Sequence, residues 1–223
     1  VKNTKVLILY SGGADSTLLI HLALEANLKP YCVLIDYDQN QKMELDFAHK
    51  YLNEKSIPSQ TVKLYNLGLH SALTTGEKCL YDGVSDMYVP SRNLMFVSIA
   101  ASIAENLGID MIWYGANLSD VGNGFPDCTL SWVKQVNQLL KINGSVEIQL
   151  EAPLLMMDYT TDDVMNMLEE RGVKSSQLYS GYLEDNKYKV VDLAFLGGRK
   201  LPKIDASDIV GTSFADDDRK VDE

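Results

Sequence analysis

Cysteine is scarce in this chain: three residues in 223, with none after Cys128. Scattered thiols in that number do not make a disulfide framework and suit a reducing, cytoplasmic compartment. Positive charge is also short, with 20 Lys and Arg against 31 Asp and Glu and a formal net charge of -11. That deficit argues against a broad nucleic-acid footprint, which requires a basic face. Long apolar runs are missing too. The longest nearly apolar stretch, residues 94–104, is too short to span a bilayer. The N-terminal apolar segment is only strand-length, so no membrane span and no secretory leader are expected. Internal repeats and low-complexity linkers are absent. Hydrophobic residues at 46% are nevertheless ample for a buried core, and the length suits one large domain or a domain with an appendage.

What the sequence does contain is a glycine turn in a telling place. Ser11-Gly12-Gly13-Ala14-Asp15-Ser16 follows the apolar run at residues 6–10. From Thr17 onward Leu18, Leu19, Leu22, Ala23 and Ala26 fall on one helical face. The order is strand, glycine turn, helix N-terminus. Two glycines allow a tight turn with N–H groups brought close to an anion, and the positive end of the helix favours a phosphate. Ser11 and Ser16 add hydroxyl donors, and Asp15 is a carboxylate suited to magnesium. No Lys-Ser/Thr pair follows the glycines, which excludes a Walker loop. The third glycine of a dinucleotide fingerprint is also missing.

Five apolar runs, at residues 6–10, 32–37, 61–64, 111–115 and 146–150, alternate with helical patterns. That alternation predicts an open, parallel, five-stranded α/β sheet of Rossmann-like type with helices on both faces. A second helix is expected from about 43 to 52, with Leu45, Ala48 and Leu52 inward. After Asn66 the periodicity is lost until Pro90, a length that reads as a functional loop. Residues 93–106 are apolar nearly all round and predict a central buried helix. Trp132, Val136, Leu139 and Leu140 mark the next helix, and Thr160 or Thr161 caps another that ends at Gly172. From about Val173 the character changes. Residues 1–172 are expected to form the domain that carries the glycine turn and 173–223 a small C-terminal appendage with a mobile end.

In open parallel sheets ligands lie at the carboxyl ends of the strands. Several unusual stretches fall there: Asp36-Tyr37-Asp38-Gln39, Val89-Pro90-Ser91-Arg92-Asn93, Gly115-Ala116-Asn117, and Asp120 followed by Phe125-Pro126-Asp127-Cys128. Together with the glycine turn they outline a cleft for ATP and a second, polar heterocycle. His21 and His49 fall within helical patterns and read as structural. Cys79 and Cys128 have no neighbouring His to activate them as nucleophiles.

The glycine turn resembles the SGGxDS loop of the PP-loop ATP pyrophosphatases, which cleave ATP between the α and β phosphates. A closer resemblance covers residues 5–172 and is to the 7-cyano-7-deazaguanine synthases, the QueC family. It is carried by Ser11–Ser16, Asp36-Tyr37-Asp38-Gln39 with Glu44, Val89–Asn93, Gly115 with Asp120 and Phe125–Cys128, and Glu151-Ala152-Pro153-Leu154, in order and register. The resemblance implies an adenine nucleotide alpha hydrolase-like fold and an ATP-dependent ligase. Such an enzyme adenylates the carboxylate of 7-carboxy-7-deazaguanine, lets ammonia displace AMP to give the amide, and with a second ATP removes water to give the nitrile. It implies catalytic roles for Ser11, Asp15, Ser16 and Arg92. ATP would be held by Ser11, Gly12, Gly13, Asp15, Ser16, Asp36, Tyr37 and Gly115, with Mg2+ at Asp15. Arg92, Asn93, Asp120, Phe125 and Asp127 would bind the substrate, Asp127 at the guanine-like edge and Phe125 either stacked on the ring or packed in the core.

The chain also departs from the family pattern. The C-terminal zinc cysteines are missing, with Leu178 in place of the first ligand, so no zinc is expected. Asp38 stands for a usual Gly and Gln41 for a frequent His. No glutaminase domain is recognisable, so ammonia comes from solution or from a partner. A homodimer is expected, without membrane or direct nucleic-acid contact. The other reading is a repurposed relative that attaches a deazaguanine to a protein or nucleic acid, or a nucleotide-binding component of a larger assembly.

Overall fold

The structure is a computed structural model and describes residues 4–37, 43–65, 89–174 and 177–178. The chain runs β1 (Lys5–Leu9), α1 (Ala14–Glu25), β2 (Lys29–Asp36), α2 (Met43–Glu54), β3 (Ser59–Lys63), α3 (Arg92–Leu107) and β4 (Met111–Trp113). It continues through α4 (Leu118–Gly122), α5 (Leu130–Asn143), β5 (Gln149–Glu151), α6 (Pro153–Met156) and α7 (Thr161–Glu170). All strand pairs are parallel, and the spatial order is β3-β2-β1-β4-β5. Strand order therefore reverses between β1 and β4. At such a switch point the two following loops diverge to opposite faces and leave a crevice beyond the strand ends. The glycine turn leaves β1, and Gly115-Ala116-Asn117 leaves β4, so the fold brings both to that crevice.

Successive side chains on a strand point to opposite faces, and here both faces are covered. Val6 and Ile8 of β1, with Cys32 and Leu34 of β2, pack in one core with Leu18, Leu19 and Leu22 of α1, Leu52 of α2, and Val164 and Leu168 of α7. Leu7, Val33, Ile35 and Ile112 point the other way, onto Val97, Ala100 and Ala104 of α3 and Val133 and Val136 of α5. Burial on both sides explains why these strands read as continuous apolar runs rather than alternating ones.

The expected elements are found, with shifts that have physical causes. Helix α1 begins at Ala14, so Asp15 and Ser16 belong to its first turn. Helix α3 is not buried all round. Only Val97, Ala100 and Ala104 are fully covered, whereas Leu94 and Leu107 are 37% and 39% exposed. Its outer side carries Ser98 and Asn106, which return hydrogen bonds to Leu94 and Ser102 carbonyls one turn back. Leu139 of α5 is likewise exposed, at 48%, and Val133 takes the inward position. Strand β5 starts at Gln149, because Val146 lies outside the ladder and is half-exposed. Thr160 is the cap of α7: its hydroxyl accepts the Asp163 N–H while the Asp163 carboxylate accepts the Thr160 N–H. This reciprocal arrangement satisfies two otherwise orphaned donors.

The expected functional loop, Asp38, Gln41, His70 and Cys79 lie outside the described residues. So does most of the appendage, of which Val173 is buried and Leu178 packs against the first core. Among the described residues no helix is long and apolar enough to cross a membrane, and no cluster of three or more His, Cys, Asp or Glu could hold a metal ion.

Candidate active site

The glycine turn is ordered by its own hydroxyls. Ser16 Oγ lies 3.2 Å from Ser11 Oγ and accepts the Ser11 N–H at 3.2 Å, and Ser11 Oγ accepts the Gly13 N–H at 3.3 Å. Gly12 has φ +89, and a Cβ there would stand 3.0 Å from Ala48 Cβ of α2. Both the backbone angle and the space therefore require glycine. Gly13 caps α1 without any side-chain hydrogen bond, so no capping side chain occupies the positive end of the helix.

Gly115 seats this turn from the other side of the crevice. A Cβ on it would meet Ser16 N at 3.0 Å and Asp15 Cβ at 3.1 Å. Two residues on, the buried Asn117 donates to Asp15 Oδ1 at 2.8 Å. Burial pushes the Asp15 carboxyl up to about 6; the Asn117 hydrogen bond opposes this and the Asp120 charge adds to it. Asn117 also caps α4. Its side chain accepts the Ser119 and Asp120 N–H groups, and Asp120 Oδ2 accepts the Asn117 N–H at 2.9 Å. One carboxylate oxygen of Asp120 is thus engaged in a capping box rather than free for a ligand.

A second group lies beyond Asp120. Asp127 is 7% exposed and accepts the backbone N–H of Asn93. Burial raises the carboxyls of both Asp120 and Asp127, while the Arg92 guanidinium pulls each down. Arg92, at the start of α3, donates to the Tyr37 hydroxyl at 3.3 Å, and Tyr37 packs on Phe96 with ring centroids 5.3 Å apart. Tyr37 therefore orients Arg92. Asp36 closes β2, one strand away from β1, and its carbonyl accepts the Leu64 N–H. Asn93 brings its side-chain amide within 3.9 Å of Cys128 Sγ. Burial drives the Cys128 thiol well above its usual range, which removes it as a nucleophile. His21 and His49 are bonded to the hydroxyls of Tyr51 and Thr61, at 2.8 and 3.1 Å, as structural histidines are.

Beside Asp127 is a cavity of about 180 Å³ lined by Ser91, Leu94, Pro126, Asp127 and Trp132. Phe125 does not line it; its ring packs on the second core. In the sequence Trp132 marks only a helix, and Asn117 enters only as the end of a strand-end stretch bordering the cleft. The signal for Asn117 was present: an Asn three residues before an Asp, directly after a strand, is a helix start whose cap faces the crevice. Trp132 follows the Thr129 cap by three positions, and its N–H is the one that Thr129 accepts. That fixes the indole at the first turn of α5, next to the Pro126-Asp127 segment.

A glycine turn without a Walker lysine, at the switch point of a doubly wound parallel sheet, is the architecture of the PP-loop ATP-using α/β enzymes, to which the QueC family belongs. The U34-tRNA thiolase NcsA of Methanococcus maripaludis, solved with its [4Fe-4S] cluster, has the same fold, with a TM-score of 0.54 over 84% of this chain and 62% of that one at 18% identity. Within that class the family is specific. The model of the queuosine biosynthesis protein QueC matches residues 5–191, and the chain belongs to the QueC family. It is 34% identical over 200 residues to the 7-cyano-7-deazaguanine synthase of Prochlorococcus marinus subsp. pastoris, covering 82% of this chain and 88% of that one. The 7-cyano-7-deazaguanine synthase of Syntrophotalea carbinolica is 32% identical over 191 residues, 80% of this chain and 82% of that one. The chain is accordingly an ATP-dependent ligase of this family.

Proposed function

We propose that the protein makes 7-amido- or 7-cyano-7-deazaguanine from 7-carboxy-7-deazaguanine, ammonia and ATP. One observation carries the reading to individual residues. Hydrogen bonds run from the phosphate-type turn through Asp15 and Asn117 to Asp120, and the Arg92 charge acts on both Asp120 and Asp127, which borders a cavity. A carboxylate is a poor electrophile, and adenylation gives it a leaving group. Its oxygen attacks the α-phosphorus of ATP and pyrophosphate departs. Ammonia then attacks the acyl carbon, AMP leaves and a proton is lost, giving the amide. For the nitrile, the amide oxygen attacks the α-phosphorus of a second ATP and pyrophosphate departs; AMP then leaves with that oxygen as the nitrogen gives up its two protons to solvent.

In this scheme Ser11, Gly12, Gly13 and Ser16 bind the departing pyrophosphate through N–H and hydroxyl donors. Asp15, a half-buried oxygen donor beside the turn, fits Mg2+, which when bound neutralises phosphate charge. Arg92 pairs with the substrate carboxylate or a phosphate as a bidentate fork. Asp127 accepts N–H donors of the guanine-like edge, Asn93 and Asp120 border it, and Asp36, Tyr37 and Gly115 serve the nucleotide side. Trp132 supplies the flat wall given earlier to Phe125. Residues 1–172 act as the ligase domain and 173–223 as an appendage. We further propose a cytoplasmic homodimer supplied with ammonia from solution or by a partner.

The test is product analysis. Purified protein with ATP, ammonia and 7-carboxy-7-deazaguanine is expected to yield AMP, pyrophosphate and the amide or nitrile by mass spectrometry. Asp15→Ala and Ser11→Ala should each cut AMP formation by roughly 100-fold or more while leaving the fold intact. Release of ADP and phosphate instead would sink the adenylation scheme.

A further inference from the structure

Asn117 is 1% exposed and lies where three elements meet. Its Oδ1 accepts the N–H groups of Ser119 at 2.8 Å and Asp120 at 3.3 Å. Its Nδ2 donates to Asp15 Oδ1 at 2.8 Å and to Thr161 Oγ1 at 3.3 Å. A carboxamide has two acceptor sites and two donor hydrogens, and here all four are used. The orientation of the amide is thereby fixed. Two backbone N–H groups demand the oxygen on the α4 side, so the nitrogen must face Asp15.

We propose that Asn117 is a positioning residue for the phosphate chemistry. It holds the Asp15 carboxylate in one orientation beside the glycine turn and locks that turn to the segment that carries Asp120 and Asp127. The inference rests on the reading of the turn as the pyrophosphate site. Three features set this contact apart from an ordinary helix cap. The cap needs only Oδ1, and Asp, Ser or Thr would supply an equivalent acceptor. The donor half of the amide, which only Asn or Gln offers at this length, is the half that reaches Asp15. The contact also spans the crevice at the strand switch point, joining residues 102 apart in sequence. A carboxylate freed from its orienting partner samples several rotamers, and partners of this kind are worth about 10–100-fold in metal affinity or activity.

Substitutions at one position separate the two halves of the amide. Asn117→Ser keeps a capping acceptor but is too short to reach Asp15. Asn117→Asp keeps both acceptor bonds, removes the donor and sets a like charge against Asp15. Thr161→Val removes the other Nδ2 bond and leaves the Asp15 contact. Each variant would be measured by thermal melting, by calorimetry of pyrophosphate binding with Mg2+, and by kcat and KM for the deazaguanine and ATP. Asn117→Ser is expected to melt within a few degrees of the parent and to bind magnesium pyrophosphate about 10–100-fold more weakly. Its kcat should fall in step while KM for the deazaguanine is unchanged. Asn117→Asp should lose more, and Thr161→Val should match the parent. Parental pyrophosphate affinity and kcat in both Asn117 variants would overturn the proposal, and so would an equal loss in Thr161→Val. Asp15→Ala is the reference: if it too binds magnesium pyrophosphate normally, the reading of the turn falls with the proposal. A crippled Asp15→Ala beside normal Asn117 variants overturns the proposal alone.

Discussion

The two corners of the crevice are built on opposite principles. The corner at β1 comes from one six-residue stretch of glycine backbone and two serine hydroxyls that bond one another, with a single carboxylate, Asp15, held from across the crevice by Asn117. The corner beyond β4 is made of buried carboxylates and one guanidinium, from residues that start α3, cap α4 and precede α5. Donors fixed in a turn need no counter-charge to remain stable. Buried carboxylates do, and Asp120 and Asp127 stay elevated even with Arg92 pulling them down. On the proposed reading, the N–H donors of a guanine-like edge would supply partners for these carboxylates. In the proposed scheme the first corner takes pyrophosphate and the second takes the deazaguanine base.

The largest effect is expected where the corners touch. Gly115→Ala would set a Cβ 3.0 Å from Ser16 N and 3.1 Å from Asp15 Cβ, against the rigid first turn of α1. Overpacking of that sort costs about 1–3 kcal/mol, and displacement of the turn by a fraction of an ångström should lower AMP formation about 100-fold. Gly122→Ala, in the same segment but with nothing within 4 Å of the added carbon, is the control and should change neither. Denaturant melts and AMP chromatography read both quantities. Equal behaviour of the two variants would mean that the corners are not in mechanical contact.

That contrast also decides what could be read from the sequence. The donor corner was legible because its parts are contiguous and its context is local: an apolar run, a glycine pair, then a helical face. The sheet was legible because burial on both faces leaves unbroken apolar strands. The carboxylate corner was legible only as residues. Their division of labour depends on which oxygen is already engaged, and that follows from caps formed in three dimensions. Asp120 serves the α4 capping box, Phe125 packs in the core and Trp132 lines the cavity. Asn117 escaped because its role lies in a contact with Asp15, 102 residues away. The exposed flank of α3 escaped for a related reason: small and apolar residues on its outer side carry no mark of which way they face.

A smaller effect should separate the two carboxylates. Asp127→Asn should weaken deazaguanine binding about 10- to 100-fold, the worth of one or two hydrogen bonds to a charged acceptor, with ATP affinity unchanged. Asp120→Asn should cost about 1 kcal/mol through the weakened cap and have less effect on the base. Titration calorimetry with each ligand separately makes the comparison. Loss of base binding in Asp120→Asn alone would transfer the recognition role to Asp120.

The smallest effect concerns pH, and it isolates Asp127 without any ligand. Burial raises the Asp127 carboxyl above its unfolded value of about 4, so over the interval above that pH the native state holds a proton that the unfolded chain has lost. Stability therefore contains a contribution that is fully present below about pH 4 and is lost as pH rises through the folded value. Asn at position 127 has no such proton to lose. As pH rises from about 4, the melting temperature of the ligand-free, magnesium-free protein should fall less steeply in Asp127→Asn than in the parent. Each kcal/mol of this linkage reads as about 2–4 °C in a chain of this size. Ser11→Ala removes a hydroxyl that does not titrate in this range, so its pH slope should match the parent's. Were Asp127→Asn to keep the parental slope, the proton uptake would lie with the other carboxyls raised by burial, Asp15 at about 6 and Asp120 first, then Glu151, whose Trp113 bond at 2.7 Å opposes the rise.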